Sequence, residues 1–397
     1  MAAVQTCFLT LPSPGDRTQA RIVHKVRLLA LRHLLTLPRA VRGVEGLARV
    51  LTELARRDPA RLLSAVGAPD VLPLLLCSLS RACETELILE RAVPSLLVRL
   101  GRLPEALLWD RPVQALTDGA DTWCFEPPAR GLCVDPGGVT VRLADGALVR
   151  LAELGPRRTT HPLSHGVHLA TADTFPLAGL EAHPDKAGNA LDLADRPIEA
   201  WIATLQAALH LIQRGLPAWS AQLPDVLSRL LPVGFEPRRH LSASYREAPG
   251  LAYLTLHPDP LVLAEAIVHE GQHSKLNAMS WLDPLLHNRA TCWTASPVRP
   301  DLRPLSGVLL AVHAFVAVAA LHQGLASGPD PIRAERLAPR RAAVLASNAA
   351  GLRILETQGE PTGSGRRLIS ELRALHDALV ADAGPLPIAP LEGPGLG

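Results

Sequence analysis

The segment Asp259 to Met279, DPLVLAEAIVHEGQHSKLNAM, dictates what must be built around it. Asp259 followed by Pro260 reads as a helix start, since an aspartate side chain can accept from first-turn N–H groups and a proline ring presets helical φ where its missing donor costs nothing. No proline follows until Pro284, and only Gly271 interrupts the run, so the spacing predicts one long helix with Ile267, Val268, Leu276 and Met279 in the core. His269 and His273 are four residues apart, about one turn, and project from the same face. Glu270 lies one step round. This is the H-E-x-x-H arrangement, in which both imidazoles can bind one metal ion with the glutamate beside it. Burying such a trio without a metal would leave its desolvation uncompensated.

A metal needs a third protein ligand. The metzincin continuation fails, because Leu276 and Met279 stand three and six residues beyond His273 where that pattern requires Gly and His. A downstream glutamate ligand is also missing, since no glutamate occurs from Ser274 to Ala334. That interval offers Asp283, His287, Asp301, His313 and His322. His313 lies in the apolar run SGVLLAVHAFVAVAAL and is the residue expected to complete the site. Three ring nitrogens with open positions suit catalytic zinc or ferrous iron, and ligand softness does not choose between them.

At 397 residues the chain has room for two or three packed units. The expected organisation is a helical N-terminal region (1–115), a small β-containing region (116–190) and a helical metal-binding domain (191–397), making a mainly α protein with a small β element. Arg21 to about Leu100 carries apolar residues at three- and four-residue steps, with Pro59, Gly67 to Asp70 and Pro94 expected near starts or breaks. Val139, Val141 and Leu143 then alternate with Thr140, Arg142 and Ala144, and Asp145-Gly146 leads into Leu148 to Leu151, which predicts a hairpin. Trp201 to Leu216 reads as an amphipathic helix and Leu251 to His257 as a strand leading into the motif helix. Pro304 to Leu321 is apolar but contains Ser306 and His313, and is expected to be a buried helix rather than a membrane span.

Composition removes other classes. A formal net charge of +2 provides no field for nucleic acid or an acidic membrane surface, and 3% aromatic residues leave few platforms for base stacking. The six cysteines, Cys7, Cys77, Cys83, Cys124, Cys133 and Cys292, include no C-x-x-C pair and are expected to be reduced thiols. The first apolar stretch is broken by Pro12 and Pro14 and lacks a preceding basic region, so no secretory signal is expected. A cytoplasmic location follows from these expectations.

Several stretches together resemble the HExxH-motif peptide-modification family of ribosomal peptide natural-product pathways. They are Glu181 to Asp192 (EAHPDKAGNALD), Leu241 to Gly250 (LSASYREAPG), HEGQHSKLNAM, Ser296 to Leu305 (SPVRPDLRPL), the helix holding His313 and Phe315, and Gly359 to Arg366 (GEPTGSGR). The resemblance runs from about Leu180 onward, roughly half the chain. It implies an iron(II)/α-ketoglutarate-dependent hydroxylase that acts with dioxygen on the β-carbon of a residue in a ribosomal precursor peptide. An α-ketoglutarate enzyme needs a cation for the distal carboxylate, and an arginine fork suits it best. Arg303 is the first candidate, with Arg299, Lys275 and Arg366 as alternates. Lys186, Asp185, Gln272 and Asn277 are candidate contacts for peptide or co-substrate. Glu270 would orient a ligand or exchange a proton. The rival readings are a zinc metallopeptidase with Glu270 as general base, and a non-catalytic peptide-binding protein with a structural metal.

Overall fold

The computed structural model describes residues 10–40, 45–180, 182–183, 186–295, 301–328, 332 and 334–383. The protein is a mixed α+β structure, 54% helix and 19% strand, helical at its N-terminus, with central sheets and C-terminal helices. The chain divides into two compact units, one formed from Met1–Val23, Pro162–His168 and Asp192–Gly397, the other from His24–His161 and Leu169–Leu191.

The N-terminal helices are α1 (Thr18–Ala40), α2 (Glu45–Arg57), α3 (Pro59–Val66), α4 (Leu72–Leu79) and α5 (Thr85–Leu100). Asp58 caps α3 by accepting from the Arg61 N–H at 3.1 Å, with Pro59 in the first turn. Pro94, expected near a break, instead lies inside α5. An interior proline costs about 3 kcal/mol. The same helix buries Ile88, Leu89, Val93, Leu96 and Leu97. Each such side chain contributes roughly 1.5–3 kcal/mol, so packing carries the helix through the proline.

The strands that follow are short: β1 (Leu107–Trp109), β2 (Val113–Thr117), β3 (Asp121–Ala129), β4 (Gly131–Asp135), β5 (Gly138–Arg142), β6 (Leu148–Arg150) and β7 (Arg157–Arg158). They form two antiparallel sheets, ordered β1-β4-β5-β6 and β2-β3-β7. The hairpin expected around Asp145-Gly146 joins β5 to β6, pairing Val141 with Val149 and Arg142 with Leu148. Its turn is closed by the Asp145 carboxylate, which accepts from the Ala147 N–H at 2.9 Å.

The unit that carries the motif begins with α6 (Ile198–Gly215), α7 (Pro217–Ser220) and α8 (Leu223–Val226). Three strands follow: β8 (Leu227–Phe235), β9 (Ser242–Ala243) and β10 (Gly250–Leu256). Strand β10 runs parallel to β8 on one edge and antiparallel to β9 on the other. Every residue of β10 from Leu251 to Leu256 is buried, as expected of a strand whose apolar residues run continuously instead of alternating. The strand feeds directly into α9 (Pro260–Ser280). The predicted start is realised, since Asp259 Oδ1 accepts from the Leu261 N–H at 2.9 Å.

Gly271, read from the sequence as an interruption, sits inside an unbroken α9. A Cβ at this position would lie 2.6 Å from the Trp219 ring, so the glycine admits the indole of α7 against the helix backbone. The rest of the unit comprises β11 (Trp293–Ala295), β12 (Leu302–Pro304), α10 (Leu305–Ser327), α11 (Ala334–Gln358) and α12 (Gly363–Ala383). Helix α10 is long and apolar enough to cross a membrane, and 78% of its most apolar window is buried inside the protein. It packs so closely on α6 that a Cβ on Gly324 would stand 2.0 Å from the Gly215 carbonyl oxygen.

Candidate metal centre

Helix α9 is buried along almost its whole length. Between Leu263 and Met279 only His269 and His273 are half-exposed. The helix thus leaves one histidine-bearing stripe partly exposed and buries its neighbours. The two rings stand edge to face with centroids 4.2 Å apart, and the Phe315 ring of α10 packs 4.7 Å from His269.

Glu270 completes the cluster. One ligand atom from each of His269, Glu270 and His273 lies within 4.8 Å of the others, the one such group among the described residues. The glutamate is 2% exposed. Its Oε1 accepts from the Ser242 hydroxyl of β9 at 2.6 Å, while its Oε2 lies 3.5 Å from His273 Nδ1. Burial pushes the Glu270 carboxyl up, and the His273 and His269 imidazoles with the Ser242 hydroxyl more than reverse this, holding it well below the usual carboxylate range. Two buried atoms here have no hydrogen-bond partner among the described residues, Glu270 Oε2 and His273 Nε2. Orphaned polar atoms at this depth are costly, and a cation held by the cluster would satisfy the Glu270 carboxylate. The residues therefore fit a metal, with a donor set of two imidazoles and one carboxylate.

His313 is fully buried on α10, but its ring is not among the atoms that converge. Its backbone carbonyl accepts from Gln272 Nε2 at 3.2 Å. Gln272 is committed to structure on every side. Its Oε1 accepts from Trp219 Nε1 at 2.9 Å, and its amide also donates to the Thr10 carbonyl at 3.2 Å. Lys275 is two residues beyond His273, or about 200° round the helix, and faces away from the histidines. Its ammonium donates to the Thr10 carbonyl at 3.0 Å, and burial pushes it down to about 8 against the opposing charges of Asp16 and Glu371.

The remaining candidates are dispersed. Arg303, on β12, pairs with Asp301 at 2.9 Å. Arg366 donates to the Pro361 carbonyl at 2.9 Å. Asp283 accepts from Thr362 Oγ1 at 2.8 Å, His287 is exposed, and His322 bonds Glu265 at 2.7 Å. Lys186 pairs with His183 in a two-residue-a-side hairpin within the other unit. Asn277 is buried one turn beyond His273 on the histidine face of α9. Arg299, Asp185 and Cys7 lie outside the described residues, and the other five cysteines form no disulfide with one another.

Sequence reasoning missed Ser242. No spacing rule ties it to Glu270, 28 residues away, and its only signal was its place in the LSASYREAPG stretch. The sequence matches no family model and no curated protein.

Proposed function

We propose that this protein is an iron(II)/α-ketoglutarate-dependent hydroxylase acting on the β-carbon of a residue in a ribosomally made precursor peptide, in the cytoplasm. The observation that carries the reading is the donor set, two histidines and a carboxylate converging on the half-open wall of a helix otherwise buried. Two histidines and one carboxylate with open positions suit non-haem ferrous iron. The resemblance of Glu181 to Arg366 to the peptide-modification family supplies the co-substrate and the peptide.

In this reading His269 and His273 hold the metal. The third donor is Glu270 or His313, and the convergence of ligand atoms favours Glu270. Ser242 fixes the Glu270 carboxylate by donating to Oε1, which leaves Oε2 aimed at the histidines. Phe315 walls one side of His269 and limits water there. Bound iron with α-ketoglutarate and dioxygen would supply the oxidising chemistry, one oxygen atom ending on the peptide and the other in succinate as carbon dioxide leaves.

The H-E-x-x-H pentapeptide itself favours a zinc peptidase, in which Glu270 would be the general base. Against it stand the absence of glutamate from Ser274 to Ala334 and the capture of Glu270 Oε1 by Ser242.

The deciding experiment loads anaerobic protein with iron(II) and α-ketoglutarate, adds candidate precursor peptides, and admits oxygen. Succinate in step with a gain of one oxygen on a peptide is expected. Peptide cleavage without α-ketoglutarate would replace this reading with the peptidase. Metal content of Glu270→Ala against His313→Ala identifies the third donor.

A further inference from the structure

The histidine stripe of α9 does not end at His273. Leu276, Asn277 and Ser280 continue it at the same helical spacing, and all three line a cavity of about 300 Å³ whose other walls include Arg246, Arg289 and Ser306. At 1.5 Å rise per residue the α9 residues lining the cavity lie about 4.5 to 10 Å beyond His273 along the helix axis. Its lining includes two arginines and no acidic residue.

Arg246 is held in place. Its Nε donates to Ser280 Oγ at 3.2 Å, and its guanidinium lies 4.2 Å over the Trp281 ring. The indole N–H in turn donates to the Arg246 carbonyl at 2.9 Å. Neither Arg246 nor Arg289 makes an ion pair with a carboxylate among the described residues. Burial lowers the Arg246 pKa, Glu247 opposes this, and the positive charge of Arg289 adds to it. Two cations facing one half-enclosed cavity repel unless an anion lies between them.

A third positive element closes the argument. Ser306 belongs to the first turn of α10, a helix of 23 residues whose first turn holds no acidic residue and whose N-cap, Pro304, makes no side-chain capping bond. Its first two N–H groups already donate to the Cys292 and Arg289 carbonyls at 3.0 Å each, so the helix end offers negative charge its dipole and the Ser306 hydroxyl rather than those donors. Asn277 and Ser280 add neutral polar groups on the α9 side.

We propose that Arg246 and Arg289, with the N-terminus of α10, form a carboxylate-binding pocket on the α9 face that carries the histidines, and that it holds one carboxylate of a small aliphatic dicarboxylate. The identification of the ligand as a dicarboxylate rests on the hydroxylase reading: one end would sit at the metal and the other between the arginines. The anion pocket itself stands on the two guanidiniums, the helix end and the cavity. These residues take the place of Arg303, whose guanidinium is already paired with Asp301.

The test titrates the metal-free full-length chain with glutarate, which has no 2-oxo group to chelate a metal, and in parallel with a short acetylated peptide bearing a free C-terminal carboxylate. Glutarate should bind saturably, and both Arg246→Gln and Arg289→Gln should weaken it at least about tenfold, the scale of losing a hydrogen bond to a charged group. Arg373→Gln, a guanidinium paired with Glu356 on α11, is the control and should leave binding unchanged. Circular dichroism checks each fold, and Arg289→Gln, without the Trp281 stacking, keeps the test open if Arg246→Gln unfolds. Equal glutarate affinity in the folded variants, or no glutarate binding to the parent chain, would overturn the proposal. So would arginine-dependent binding of the peptide acid alone. Arginine-dependent glutarate binding without any peptide hydroxylation would leave the pocket standing and remove the hydroxylase. Hydroxylation with an unchanged KM for α-ketoglutarate in both arginine variants would do the reverse.

Discussion

Helix α9 carries two buried glutamates five residues apart, each against histidine, and they have opposite fates. Glu265 is fully provided for. Its Oε1 accepts from Arg340 Nε at 2.6 Å and bonds His322 Nε2 at 2.7 Å, and its Oε2 accepts from the same guanidinium. Glu270 has no arginine. Its Oε1 has a serine hydroxyl, and its Oε2 has only a 3.5 Å approach from His273. Both carboxyls are held below the ordinary range against the upward push of burial, Glu265 by His322 and Arg340, Glu270 by the two imidazoles and Ser242. A buried Glu-His contact is therefore no metal signature by itself. What separates the two clusters is the cation: one has a guanidinium from α11, and the other has no arginine or lysine partner among the described residues. The same contrast explains why His322 is not in the candidate site, since the structural cluster already uses it.

The two clusters should differ most in metal binding. His273→Ala should lower affinity for iron(II) or zinc by more than about 100-fold, because losing a ligand exceeds the 10–100-fold cost of losing a group that only orients one. His322→Ala should leave metal stoichiometry unchanged. Equilibrium dialysis with elemental analysis measures both. Equal loss in the two variants would mean that the clusters do not divide the work as described.

Stability should divide them in the other direction. Glu265→Gln leaves the Arg340 guanidinium without its bidentate partner. Breaking a buried pair costs about 3–5 kcal/mol. The Arg340 side chain is 28% exposed, so the lower end, about 3 kcal/mol, is expected from urea unfolding at pH 7. Because the folded-state pKa of Glu265 is depressed, its contribution is complete above the unfolded value of about 4.3 and is lost as pH falls through the folded one. The gap between parent and Glu265→Gln should hold steady from about pH 7 to 5.5 and narrow below about pH 4. A gap that widens on acidification would overturn the assignment.

What the sequence made legible is whatever local spacing controls. The Asp259-Pro260 start, the shared face of His269 and His273, the hairpin at Asp145-Gly146 and the burial of α10 all follow from neighbours within a few residues. Two local rules were overridden by packing: Pro94 did not end α5, and Gly271 proved to be a seat for the Trp219 ring. Candidates chosen for closeness in sequence fared unevenly. Lys275 and Gln272 stand within two residues of His273, yet the helix turns both into contact with Thr10. The partners that distinguish the two glutamates come from 28, 57 and 75 residues away, and no periodicity encodes such meetings.

The smallest effect is the most informative about Glu270. Ser242→Ala removes a single hydroxyl from β9, leaves no cavity of consequence, and should lower stability by about 1 kcal/mol, the usual net worth of a hydrogen bond. If Ser242 exists to aim the carboxylate, metal affinity should fall about tenfold, within the range for groups that orient ligands. Ser242→Thr, which retains the donor, should recover most of it. A structural role alone predicts the stability loss without the affinity loss, so calorimetric unfolding and metal titration of the same two variants separate the cases. The counterpart at the other cluster, His322→Gln, should lower stability and leave metal affinity alone. If Ser242→Ala behaved like His322→Gln, Glu270 would be a second structural glutamate rather than part of a metal site.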